Sequence, residues 1–113
     1  MSLPFIEITR REEFSAAHRL HNPALSDAQN RTLYGVCNNA HGHGHNYELE
    51  VTVRGRIDAE TGMVMNLTDL MTMLRERIIS RLDHKNLNHD VSFLRGVVPT
   101  AENVVVGIWK EID

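Results

Sequence analysis

Cysteine is almost absent from this chain, and the absence decides the first question. The single residue Cys37 has no partner for an internal disulfide, which excludes a disulfide-stapled secreted fold and makes a reducing cytoplasm the expected compartment. Long apolar runs are missing as well. Nothing approaches the ~18–20 residues that crossing a bilayer takes, so no membrane span is expected. Met1 to Arg10 also lacks a basic segment followed by an apolar stretch, the pattern of a secretory signal. Prolines number three, and no Pro/Gly/Ser-rich linker, internal repeat or low-complexity tract divides the 113 residues, so a single domain over 1–113 is expected. Charge is close to balanced, 12 Lys and Arg against 15 Asp and Glu. With no basic cluster there is no nucleic-acid footprint, and a phosphorylated ligand would need a local basic pocket.

Histidine is what the chain has in excess. Seven histidines outnumber the three Phe, two Tyr and one Trp together, and His41, His43 and His45 fall within five residues. From residue 43 the sequence alternates strictly, placing His43, His45, Tyr47, Leu49, Val51 and Val53 on one face and Gly44, Asn46, Glu48, Glu50, Thr52 and Arg54 on the other. That is a half-buried strand. An earlier strand, long or bulged, is expected over Phe5 to about Ala17. Arg19 to Gly42 shows no sustained period and reads as a long loop, of the kind that in small domains is usually functional or disordered. Gly55 to Gly62 is rich in turn residues, and Met63-Val64-Met65 is a candidate extended piece. Leu67, Leu70, Met71, Leu74, Ile78 and Leu82 recur at helical spacing, with Asn66 or Thr68 as N-cap. A second helix follows Pro99, capped by Thr100, with Val104, Val105, Ile108, Trp109 and Ile112 as its apolar stripe. Two strands alone are marginal and leave open edges. Either more chain or neighbouring subunits are expected to complete the sheet.

Residues two apart on a strand point to one side, so His43 and His45 can aim two imidazoles at one ion. Spacing leaves the third ligand open: His41 shares their parity, and His18 would come from the neighbouring strand. Three imidazoles with an open fourth position make a catalytic zinc site, able to polarise a bound oxygen. Cys37 could close the site as a fourth ligand, act beside the metal as a base or nucleophile, or be an inert buried thiol. Asp83 and His84 offer an acid and an imidazole at a helix end, where a histidine is also favoured electrostatically.

Five separated segments then coincide with one family. Phe14-Ser15-Ala16-Ala17-His18-Arg19-Leu20, Cys37-Asn38-Asn39 with Gly42-His43-Gly44-His45-Asn46-Tyr47, Gly62-Met63-Val64-Met65-Asn66-Leu67, Leu82-Asp83-His84-Lys85-Asn86-Leu87 and Thr100-Ala101-Glu102-Asn103 together resemble the 6-pyruvoyl-tetrahydropterin synthase family. The resemblance implies an α+β tunnelling fold. In that fold an antiparallel four-stranded sheet carries two helices on one face, trimers close into a barrel, and two trimers stack into a homohexamer. It implies Zn2+ held by His18, His43 and His45, with His41 left out, and a catalytic group of Cys37, Asp83 and His84. The implied reaction takes a pterin triphosphate, 7,8-dihydroneopterin triphosphate, to 6-pyruvoyl-tetrahydropterin with elimination of triphosphate, as in tetrahydrobiopterin biosynthesis.

The related 6-carboxy-tetrahydropterin synthase of 7-deazaguanine biosynthesis is the alternative. Its cysteine typically sits closer to the H-G-H motif, whereas five residues separate Cys37 from His43 here, which favours the pyruvoyl enzyme. Family members continue with two further strands that carry a pterin-anchoring glutamate, and these 113 residues hold no such segment. Glu102 is the candidate pterin contact that remains, with helix capping as its other reading. A truncated, non-catalytic zinc-binding homologue is therefore the third expectation. Arg19 and Lys85 are candidates for the triphosphate by position only.

Overall fold

The computed structural model describes residues 3–113. Two long strands, β1 (Phe5–His18) and β2 (His43–Arg56), form an antiparallel ladder. Partners match one for one from Phe5 and Arg56 at one end to His18 and His43 at the other. The register is unbroken, so β1 is the long strand and not the bulged one. Period-two alternation fixes that register, because a one-residue slip would turn Phe14, Tyr47 and Leu49 to the polar side.

Helix α1 (Asp27–Tyr34) and a 3-10 turn (Gly35–Asn38) fill the segment between the strands. This corrects the reading of Arg19 to Gly42 as a loop without structure. No apolar stripe announces α1: its one buried residue is Asn30, and Leu33 is exposed. Asn30 accepts from the Asn22 N–H at 2.7 Å and donates to the carbonyls of Asn22 and Ser26, each at 3.0 Å. A polar side chain thus holds the segment shut where a leucine would usually do so. The signal that was there is a capping box. The Ser26 hydroxyl accepts from Gln29 N–H, and the Gln29 side chain accepts from Ser26 N–H.

After β2 come α2 (Leu67–Leu74), a single π turn (Arg75–Ile79) and α3 (Ser80–Leu82), following one another without a break. Asn66 is the N-cap, accepting from Thr68 N–H at 2.8 Å. Leu70, Leu74, Ile78 and Leu82 are spaced strictly by four and are all at most 1% exposed. Four residues overshoot an α-helical turn by about 40°, so such a row drifts around the helix. The wider π turn takes up that drift. It sends the Ser80 N–H to the Arg75 carbonyl five residues back, and the Ser80 hydroxyl donates to the Glu76 carbonyl at 2.6 Å.

A two-residue strand, β3 (Lys85–Asn86), adds parallel to β1, giving the order β2-β1-β3. This short parallel strand departs from the expected wholly antiparallel sheet. The expected extended piece at Met63-Val64-Met65 is no strand. A 3-10 turn (Ser92–Leu94) precedes α4 (Ala101–Ile112), whose N-cap Thr100 accepts from Asn103 N–H at 3.2 Å. The fold is mixed α+β, with the helices after β2 packed on one face of the sheet. Phe14 and Ala16 meet Leu70, Leu74, Ile78, Leu82, Leu87, Val91, Leu94, Val104 and Ile108 in one core. The opposite face of the ladder carries Glu13, Ser15, Asn46, Glu48 and Glu50. No described helix is long and apolar enough to cross a membrane.

Candidate metal centre and active site

The unbroken ladder brings the histidines together. His18 ends β1, His43 begins β2 opposite it, and His45 lies one same-face step further along. Their three Nε2 atoms form a triangle with every side 3.1 Å. Hydrogen bonding alone does not account for it, since an N–H can be aimed at only one of the other two nitrogens. The spacing fits tetrahedral ligation of a metal ion. With Zn–N near 2.0–2.1 Å, neighbouring ligand nitrogens stand about 3.3 Å apart.

His18 is the fixed corner. Its Nδ1 donates to the Pro99 carbonyl at 2.9 Å. A carbonyl only accepts, so the proton is on Nδ1 and the neutral ring presents the Nε2 lone pair to the centre. Burial pushes the His18 pKa below the ordinary imidazole value. The bond to Pro99 opposes that shift, and His45 and His43 add to it. The main chain closes tightly behind this residue. Gly42 has φ of 75°, and a Cβ there would fall 2.8 Å from the His18 carbonyl oxygen, so the turn into β2 demands glycine.

Cys37, half-buried in the 3-10 turn, joins the group. Its sulfur and the histidine nitrogens all lie within 4.8 Å of one another. The Leu20 N–H donates to the Cys37 carbonyl at 2.8 Å, binding this turn to the chain just past His18. His41 is exposed and lies outside the group. The sequence reading missed Tyr47. Its hydroxyl is buried with no hydrogen-bond partner among the described residues, while its ring stacks on Phe14 at 4.8 Å and meets His45 edge-on at 5.7 Å. Burial, and then the nearby Cys37, raise the phenol above its ordinary pKa. A buried phenol oxygen without a partner beside the three histidines is a polar group for a ligand to engage. Its place on the histidine face of β2 was the available signal.

Asp83 and His84 lie at the junction of α3 and β3. Asp83 accepts from the Ser15 N–H at 2.8 Å and contacts His84 Nδ1 at 3.0 Å. The Ser15 bond is the main reason its carboxyl is held below the usual range, with the His84 contacts assisting against some desolvation. His84 has φ of 59°, a left-handed backbone that costs a non-glycine residue energy, and its N–H donates to the Ser15 carbonyl at 2.6 Å. Among the described residues no hydrogen bond joins this pair to Cys37. His84 and His45, one corner of the triangle, line a common depression with Asn46 and Lys85. Glu102 is exposed in the first turn of α4, where a carboxylate also suits the helix dipole.

A family model described as 6-pyruvoyl tetrahydropterin synthase covers residues 7–113. The chain belongs to that family. It is 55% identical over 109 residues to 6-pyruvoyl tetrahydrobiopterin synthase of Drosophila melanogaster, covering 96% of this chain and 65% of that one. It is 54% identical over 107 residues to the Homo sapiens protein of the same name, covering 95% and 74%. The structure of Caenorhabditis elegans 6-pyruvoyl tetrahydropterin synthase superposes with a TM-score of 0.93 at 41% identity, over 99% of this chain and 79% of that one. The chain therefore spans about two thirds to four fifths of the length of these relatives.

Proposed function

We propose that this chain works as a zinc-dependent 6-pyruvoyl tetrahydropterin synthase, converting 7,8-dihydroneopterin triphosphate to 6-pyruvoyl-tetrahydropterin in tetrahydrobiopterin biosynthesis. The observation that carries the reading is the nitrogen triangle of His18, His43 and His45 with Cys37 beside it, in a chain of this family. The donor set fits zinc, which accepts imidazole and thiolate alike. His18, His43 and His45 would hold the ion, which when bound supplies positive charge to stabilise oxyanion character on the substrate side chain.

The remaining roles belong to the protein's own groups. Cys37 as a thiolate takes a proton from a side-chain carbon, and the electrons left behind expel triphosphate as the C–O bond breaks. His84, oriented by Asp83, returns or relays protons as the hydrogens are redistributed, so the reaction needs no external redox cofactor. Asp83 and His84 do not bond to Cys37 within one chain. Their engagement is therefore expected in an assembled homo-oligomer, a hexamer built as a dimer of trimers, where a second chain can bring its pair to the first chain's cysteine. The tentative pterin contact is Glu102, and the lone thiol suits a reducing cytoplasm.

The test is an assay of the purified chain with zinc and 7,8-dihydroneopterin triphosphate, with the product identified by mass. Formation of 6-pyruvoyl-tetrahydropterin is expected. The carboxy product, or zinc binding with no turnover, would overturn the reading.

A further inference from the structure

We propose that the depression between α1 and the 3-10 turn Gly35–Asn38 is an anion subsite for a polyphosphate, with Arg19 and Arg31 as its cationic groups. The inference rests on the pterin-triphosphate reading above and assigns the place of that substrate's charged tail. Arg19, Arg31, Asn38 and Asn39 line this depression. Arg19 follows the ligand-candidate His18 directly, and Asn38 follows Cys37, so two chain segments leave the metal centre and enter the depression one residue later.

Arg19 is held in advance of any ligand. Its N–H donates to Asn88 Oδ1 at 2.7 Å, its carbonyl accepts from Asn88 Nδ2 at 2.8 Å, and its Nε donates to the Asn38 carbonyl at 3.1 Å. Asn38 is buried and fixed in turn, donating to the Leu20 carbonyl at 2.7 Å. The terminal guanidinium nitrogens are left without a hydrogen-bond partner among the described residues. Among the described residues, carboxylates pair with Arg10, Arg11, Arg75 and Arg81 but not with Arg19, Arg31, Arg54, Arg56, Arg77 or Arg95, and of these six only Arg19 and Arg31 line this depression. Holding an arginine half-buried beside a metal centre without a counter-ion is costly, and an anionic ligand relieves that cost with charge-assisted bonds. Asp27 also lines the depression, but it sits in the first turn of α1, where the helix dipole already favours its charge. Lys85, the other cation weighed from the sequence, lies in a different depression together with Asp90, and among the described residues no hydrogen bond fixes its side chain as the Asn38 carbonyl fixes that of Arg19. It is therefore the weaker candidate.

The probe is inorganic tripolyphosphate, titrated calorimetrically into the chain as isolated and again after a chelator has removed bound metal. Arg19→Gln and Arg31→Gln are each expected to weaken binding by about tenfold to a hundredfold, the range for losing a hydrogen bond to a charged group. The loss should persist in the metal-stripped chain, and Lys85→Gln should leave binding unchanged. Absence of binding, binding by both arginine variants as tight as by the wild-type chain, or a loss confined to Lys85→Gln would each overturn the proposal. Arg31 is exposed on α1, so Arg31→Gln decides the matter if circular dichroism shows Arg19→Gln to be misfolded. Arginine-dependent binding without turnover would sink the enzymatic reading and leave the subsite standing. Turnover with arginine-independent binding would do the reverse.

Discussion

His18 donates from Nδ1 to the Pro99 carbonyl at 2.9 Å, so the last residue of β1 is locked to the residue that precedes the cap of α4. One bond ties the candidate metal centre to the helical layer. It also selects the tautomer that aims Nε2 at His43 and His45. Substituting any one of these three histidines by alanine should reduce bound zinc from near one per chain to a small fraction, while His41→Ala should retain it. Metal analysis of the four purified variants checks this, and zinc loss in His41→Ala with retention in His18→Ala would show that the ligand set is wrong.

Spacing alone could not choose between His41 and His18, for a physical reason, and only the family resemblance pointed to His18. Parity along one strand relates His41 to His43 and His45, but the third nitrogen arrives across the ladder, and cross-strand register is a tertiary fact. The alternation from His43 to Val53 was legible because each residue of β2 faces either core or solvent. Helix α1 was not, because Asn30 does by hydrogen bonding what apolar burial does elsewhere. Two-residue β3 is too short to show any period, and its pairing with Ala16 and Ala17 depends on where α3 ends. The same placement sets Asp83 and His84 at the sheet edge, a position that their spacing in the chain does not reveal.

Cys37 is expected to act as a base and not as a fourth ligand, because the proposed chemistry needs an open position for substrate oxygen. Cys37→Ala should keep its zinc and lose activity by about two to four orders of magnitude, the usual contribution of a general acid or base. His84→Ala should also slow turnover without releasing metal. Parallel zinc analysis and turnover measurements separate the roles, and metal loss on Cys37→Ala would make the thiol a ligand.

Asn30→Ala should destabilise the chain by about 1–3 kcal/mol, since it strands the half-buried Asn22 N–H along with the carbonyls that Asn30 now serves. Urea unfolding gives the number. A change below about 0.5 kcal/mol, the size of an ordinary surface substitution, would mean that α1 is held by something other than this side chain.

Gly107→Ala should be unfavourable although alanine is the better helix former. A Cβ at that position of α4 would stand 2.9 Å from Leu94 Cδ2 and 3.0 Å from Phe93 Cδ2, so the helix must lift or both side chains must turn. Overpacking of this kind costs about 1–3 kcal/mol, against a propensity gain of about 1 kcal/mol. A thermal midpoint that falls supports the close approach. A midpoint that rises would show that the two side chains yield freely.

Acid should expose the role of Asp83. The Ser15 N–H is the first cause holding its carboxyl below the usual range, with His84 assisting. Between the lowered folded value and the ordinary unfolded one, the unfolded chain binds more protons than the folded chain, so stability rises with pH across that window. The contribution is complete above the ordinary carboxylate range and is lost as pH falls through the folded value. Asp83→Asn keeps an oxygen that can accept from Ser15 but cannot titrate. The urea midpoint of the wild-type chain should therefore exceed that of Asp83→Asn near neutral pH, and the two should converge at acid pH. A gap that stays constant across the titration would show that the Ser15 bond does not depend on the charge of Asp83.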